Sequence, residues 1–118
     1  MQNLFNKNEI LGDDLELLLE KRSNDKFEFL LIDVRERYEF DQKSIVGVDH
    51  LIPMSSFWAD VEKIKGMENK PIVVQCKSGA RSAMAQSKLE NLGFNKVVNL
   101  SGGIIKYTGR AKHWHGFN

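Results

Sequence analysis

Three short runs in this sequence are apolar almost without interruption: Phe29-Leu30-Leu31-Ile32-Asp33-Val34, Ile72-Val73-Val74-Gln75 and Lys96-Val97-Val98-Asn99-Leu100. A strand with one face in water alternates apolar and polar residues, whereas a continuous run needs cover on both faces. The segments between the runs supply that cover. Leu11, Leu15, Leu18 and Leu19 recur at helical spacing, and Asp13 with Glu16 resembles a capping box, predicting a first helix that ends near Arg22. Arg35 to Gln42 carries Tyr38 and Phe40 among charges, which predicts a short surface helix with Glu36 and Glu39 on its solvated face. Leu51-Ile52 before Pro53 predicts a short strand. Ser55 or Ser56 is placed to cap a helix that buries Phe57, Val61 and Ile64. After Gly79 a helix is predicted with Ala85, Leu89 and Leu92 on one face and Gly93 as its left-handed stop. Ser101-Gly102-Gly103 turns the third run into a last short helix at Ile104 to Thr108, and residues from about Arg110 onward carry no clear pattern. Strand and helix in alternation imply an α/β fold, a mostly parallel sheet with helices on both faces.

The 118 residues suit one domain, with its core at about 8–110 and a tail at 111–118. A net charge of +1 gives no electrostatic case for a nucleic-acid or membrane-surface partner. No stretch reaches the roughly 20 apolar residues needed to span a bilayer, and the polar N-terminus does not read as a secretory signal. One cysteine, Cys76, excludes a disulfide within these residues and a site of clustered thiolates. A reducing, cytoplasmic setting is therefore expected, in which a thiol is either buried filler or chemistry.

The neighbours of Cys76 decide between those two. Cys76-Lys77-Ser78-Gly79-Ala80-Arg81 joins a buried strand to a helix, where backbone N–H groups can curl around an anion. Gly79 opens dihedrals closed to other residues. Lys77 and Arg81 add two cations. An ordinary thiol, with a pKa of about 8.5, is only a few per cent ionised at neutral pH. Lowering that value by about 1.5 units requires about 2 kcal/mol. A helix terminus supplies roughly 0.3–1 kcal/mol and a charge-assisted N–H bond roughly 1.5–3. The loop can meet that demand.

Cys76-Lys77-Ser78-Gly79-Ala80-Arg81-Ser82 resembles the active-site loop of the rhodanese family, whose single-domain members often show Cys-x-x-Gly-x-Arg-Ser. Leu31-Ile32-Asp33-Val34-Arg35-Glu36 is similar to that family's strand ending in Asp-Val-Arg, and Glu39-Phe40 to the acidic-aromatic pair after it. Leu92-Gly93-Phe94, Val97-Val98, Leu100 and Gly102-Gly103-Ile104 match its C-terminal pattern, so the resemblance runs from about Asn8 to Arg110. It implies a rhodanese-like three-layer fold with a central, mostly parallel five-stranded sheet. It also implies a ping-pong sulfurtransferase reaction. Cys76 would take sulfur from a thiosulfate-like anion as a persulfide and pass it to a thiol or to cyanide. In that reading the backbone of Lys77, Ser78, Gly79, Ala80, Arg81 and Ser82 is the anion cradle, and Lys77 and Arg81 orient the donor. No metal or organic cofactor is implied.

Two alternatives share the scaffold: a sulfur-relay or persulfide-carrier module serving a protein partner, and a cysteine-dependent phosphatase or arsenate reductase. The phosphatase relatives place five residues between cysteine and arginine; here four intervene, which favours sulfur. Asp33 and Arg35 are expected to be supporting residues, Asp33 bracing the active loop and Arg35 pairing with a carboxylate. His113-Trp114-His115 is read as tail rather than as a metal site, and Trp58 and Trp114 as packing or contact surface. The family's usual Gly-His-Ile is Lys43-Ser44-Ile45 here, and Tyr107 stands where tryptophan is common.

Overall fold

In the computed structural model, which describes residues 1–114 and the backbone of 116–117, the three apolar runs lie side by side at the centre of a parallel sheet. In chain order the elements are β1 (Glu9–Ile10), α1 (Gly12–Ser23), β2 (Leu30–Asp33), α2 (Arg37–Gln42), β3 (Lys43–Ile45) and β4 (His50–Leu51). There follow α3 (Phe57–Asp60), β5 (Ile72–Gln75), α4 (Ala80–Asn91), β6 (Val97–Leu100), β7 (Ala111–His113) and β8 (Gly116–Phe117). The main sheet has the order β1-β6-β5-β2-β4, every neighbouring pair parallel. Its two outer strands are two residues long, which leaves little edge open to foreign pairing.

Strand alternation sends the two halves of each run to opposite layers. Leu31, Val73, Val98 and Leu100 pack with Leu15 and Leu18 of α1 and with Phe5 and Phe29. Ile32, Val34, Val74, Cys76 and Val97 pack with Ala85 and Leu89 of α4, Phe57 and Ile64. The three-layer α/β architecture read from the sequence is thus present, with a sheet that is wholly parallel. No helix of the described residues is long and apolar enough to cross a membrane.

Several local expectations are corrected. The first helix begins one residue before Asp13, and it is Asp14, not Asp13 with Glu16, that caps it by accepting the Leu11 N–H at 2.9 Å. Leu11 consequently lies outside the helix and is exposed. Val61 and Ile64 continue α3 as a tighter 3-10 turn, and the Ser56 hydroxyl donates to Asp60 instead of capping. Leu92 is exposed just past α4, and Phe94, beyond the left-handed Gly93, fills the core there instead. The segment without a pattern is ordered by long-range pairing: β7 runs antiparallel to β3, with Ala111 opposite Ile45, and pairs in turn with β8. Three-residue strands carry too little periodicity to register in sequence, and the partner lies some seventy positions away.

The turn after β6 docks on the start of the Cys76 loop. Gly103 adopts φ +60, and a Cβ added there would stand 2.3 Å from the carbonyl oxygen of Lys77 and 2.6 Å from that of Cys76. Both the dihedral and the contact require glycine. Replacing it, as in Gly103→Ala, is expected to lower the unfolding free energy by at least about 2 kcal/mol. Urea denaturation followed by tryptophan fluorescence reads this directly; an unchanged midpoint would contradict the close approach.

Candidate active site

Cys76 directly follows β5, at the carboxyl end of the sheet where open α/β folds place their sites. The carbonyls of Cys76 and Lys77 are both engaged. The Ile104 N–H donates to the Cys76 carbonyl at 2.9 Å and the Ile105 N–H to that of Lys77 at 3.1 Å. The side-chain amide of Gln75 donates to the same Cys76 carbonyl at 2.9 Å. Fixing these two carbonyls orients the peptide units that carry the Lys77 and Ser78 N–H groups. The Gly79 N–H points at the sulfur, 3.0 Å from Sγ, and the Ser82 hydroxyl stands 3.2 Å from it. Gly79 reaches this position at φ +114, ahead of the first turn of α4.

Cys76 is 1% exposed, its flank packed in the apolar layer under α4. Burial pushes the thiol pKa up. The Ser82 hydroxyl and the backbone amides of Ser82, Gly79 and Ser78 push it down and prevail, so the thiol lies below its ordinary value. A buried cysteine with inert packing would show the first effect alone.

The two expected cations have different surroundings. Lys77 is exposed and lines an open recess of about 350 Å3 together with Arg35, Tyr38, Glu39, Lys43 and Ile105. A larger recess, about 420 Å3, lies at Leu19, Arg22, Gly47 and Tyr107, and no residue of the cysteine loop lines it. Arg81 is held by Glu39 through two contacts, at 2.6 and 2.9 Å. Glu39 is therefore no solvated helix residue. The Arg81 guanidinium holds its carboxyl at about 2, against burial, and the carboxylate raises the pKa of Arg81 in return. Glu36 also has a partner, accepting from the Ser55 hydroxyl.

Asp33 and Arg35 form a buried pair with each other, Arg35 Nη2 lying 2.8 Å from Asp33 Oδ2. The Arg35 backbone N–H also donates to Asp33, and its Nη2 to the Lys43 carbonyl at 2.7 Å. Asp33 thus braces the Arg35 turn and the start of β3, not the cysteine loop as expected. Ser78 and Ala80 are exposed at the loop's outer surface. Trp58 and Trp114 are exposed, the former beneath the Lys88 ammonium. His115 lies outside the described residues, and among the described residues no cluster of acidic, histidine or cysteine side chains could hold a metal.

Two site residues escaped the sequence reading. Asn99 of β6 is buried and bonds both Gly79 and Ser82, and Gln75 is buried behind the loop. Each is the single amide in an apolar run, which was the available signal. Glu39 matches the family's acidic-aromatic pair, but its partner Arg81, 42 positions away, was not legible.

The rhodanese-like domain family matches residues 13–110. The putative sulfur carrier protein YrkF of Bacillus subtilis is 35% identical over 82 residues, covering 70% of this chain and 43% of that protein. The tRNA uridine(34) hydroxylase of Escherichia coli is 33% identical over 87 residues, covering 70% of this chain and 25% of that protein. The chain thus spans less than half the length of these curated relatives. A solved rhodanese-like domain protein from Staphylococcus aureus superposes with a TM-score of 0.72 at 26% identity, covering 86% of this chain and 91% of that one. A rhodanese-related protein from Thermoplasma volcanium gives 0.69 at 28%, covering 86% and 90%.

The Glu39–Arg81 pair carries a pH signature. A carboxyl held near 2 in the fold and near 4.5 when free stabilises the fold above pH 4.5, and that contribution is lost as pH falls through 2. Glu39→Gln should flatten this acid limb in urea denaturation series taken between those values. At neutral pH it should cost about 1 kcal/mol, discounted for the solvent exposure of Arg81. An acid limb as steep as wild type would place the acid-sensitive group elsewhere.

Proposed function

The chain belongs to the rhodanese-like domain family, and on that premise we propose that it is a sulfurtransferase carrying sulfane sulfur as a persulfide on Cys76. The observation that supports this most is the set of donors aimed at one recessed sulfur, Gly79 N–H at 3.0 Å and the Ser82 hydroxyl at 3.2 Å. They favour the thiolate, and a persulfide is likewise an anion that N–H groups of the same loop can hold.

In the first half-reaction the Cys76 thiolate attacks the outer sulfur of a thiosulfate-like donor. A sulfur–sulfur bond forms on Cys76, the donor's own breaks, and its electron pair departs with sulfite. In the second, a thiolate or cyanide attacks the terminal sulfur, and Cys76 leaves as a thiolate. No net proton or electron is required, and no metal or organic cofactor is called on. Lys77, at the mouth of the recess, provides positive charge for the incoming anion. Arg81, tied to Glu39, contributes at longer range and fixes the first turn of α4. The deep setting of Cys76 suits a donor that ends in a bare, narrow sulfur. A reducing, cytoplasmic environment suits a lone thiol that must return to the free form.

A sulfur-relay role is the second reading, favoured by the relative named as a sulfur carrier protein. There the persulfide would arrive from one protein and leave to another. Phosphatase or arsenate reductase chemistry is less well supported, since the loop is one residue short and the Arg81 guanidinium faces Glu39.

Intact mass spectrometry after exposure to thiosulfate should show one added sulfur atom on the wild type, removed by cyanide and absent in Cys76→Ser. Loading only from a persulfidated protein, such as a cysteine desulfurase charged with cysteine, would select the relay reading. No added sulfur from thiosulfate, polysulfide or protein persulfide would overturn both.

A further inference from the structure

Asn99 has no evident reason to be polar by the pattern of its strand. It stands beside Val74 in register, on the face of β6 that α4 covers, and is 7% exposed between apolar neighbours. A buried amide must find partners for both ends. Asn99 Nδ2 donates to the Gly79 carbonyl at 3.0 Å, and Asn99 Oδ1 accepts from the Ser82 hydroxyl at 2.5 Å. The amide orientation is dictated by these partners, since the reverse would set two carbonyl oxygens face to face at Gly79. The two residues it grips are the two whose N–H and O–H groups meet the Cys76 sulfur.

We infer that Asn99 is a positioning residue for Cys76: its side chain ties Gly79 and Ser82 to the rigid sheet so that their donors face the sulfur. Gly79 occupies a left-handed conformation between strand and helix, and the helical bond from the Ala83 N–H is otherwise the main restraint on its carbonyl. Ser82 has one proton and three acceptors in reach, namely Cys76 Sγ, the Gly79 carbonyl and Asn99 Oδ1. Asn99 keeps its oxygen in place in either case. When the sulfur ionises, the hydroxyl needs only to rotate from Asn99 to the thiolate, without movement of the backbone. The charged group coupled to Cys76 from α4 is Arg81, paired with Glu39 of α2; Asn99 itself carries no charge and leaves that pair untouched.

The inference rests on Cys76 being the reactive sulfur, and the test reads the thiolate itself rather than sulfur transfer. Iodoacetamide alkylation of Cys76 is followed against pH in wild type, Asn99→Leu, Asn99→Asp and Ser82→Ala. Asn99→Leu keeps the volume and removes both bonds, in a strand whose pattern accepts an apolar residue. It should move the alkylation midpoint up by about one pH unit, a roughly tenfold loss of thiolate at neutral pH. Asn99→Asp should move it up further, because a carboxylate cannot donate to Gly79 and also sets like charge near the sulfur. In the Asn99→Leu background, Ser82→Ala should shift the midpoint by less than it does alone, since an unheld hydroxyl has less to lose. A merely structural role would lower the melting temperature and leave the profile where it was. A midpoint unchanged or lowered in either Asn99 variant, with a wild-type circular dichroism spectrum, would overturn the inference, as would fully additive shifts. Should Asn99→Leu not fold, Asn99→Ala, which also removes both bonds and adds no charge, takes its place under the same criterion. A wild type that alkylates normally yet accepts no sulfur would count against the sulfurtransferase reading and not against Asn99.

Discussion

The site depends on where two carbonyl groups point. Cys76 and Lys77 present their oxygens to the N–H groups of Ile104 and Ile105, and the Gln75 side chain adds a second donor to the first. A peptide unit whose oxygen is held on one side has its N–H on the other, so these bonds orient the N–H groups of Lys77 and Ser78, and the Gly79 N–H of the following unit reaches the sulfur. Gly103 lets the second segment come close enough to act as the clamp, and no side chain could replace its hydrogen there. The parallel sheet brings these pieces together by ending β5, β2 and β6 at the same edge.

The clamp matters because burial and ionisation oppose one another. Removing a thiolate from water costs several kcal/mol on the scale of buried charges, and Cys76 lies almost fully beneath the surface. Each charge-assisted donor returns roughly 1.5–3 kcal/mol, so a single one would leave the sulfur protonated. Several acting together, as the Ser82 hydroxyl and the amides of Ser82, Gly79 and Ser78 do, reverse the sign. An open recess lined by Lys77 and Lys43 lies beside the start of this loop. Lys43 stands in the stretch that departs from the usual family pattern, so the lining of that recess diverges from the family there.

The layered fold was legible because its signal is local. Val73, Val98 and Leu31 read as doubly covered strands from their own neighbours, and Gly79 and Gly93 punctuate the helix between them. The cysteine loop was legible for the same reason, being seven consecutive residues with a turn and a helix start. What escaped was set by partners distant in sequence. Glu39 reads as one more surface acid until Arg81 is placed against it, and Asp33 was expected to brace the loop until Arg35 folded back onto it. The strand at Ala111–His113 has no periodicity of its own and is defined by β3. Asn99 is the intermediate case: visible as an anomaly in an apolar run, it carried no hint of which groups it would join.

The central claim is that the fold, and not an accident of sequence, shifts Cys76 toward the thiolate. The direct measurement is an ultraviolet titration of the thiolate absorbance in the folded wild type, with Cys76→Ser as the blank. The loop's donors predict a midpoint below the ordinary thiol value of about 8.5, returning to that value when the protein is unfolded in urea. A midpoint at or above it in the folded protein would mean that burial wins over the amides, and the chemistry assigned to this loop would have no basis.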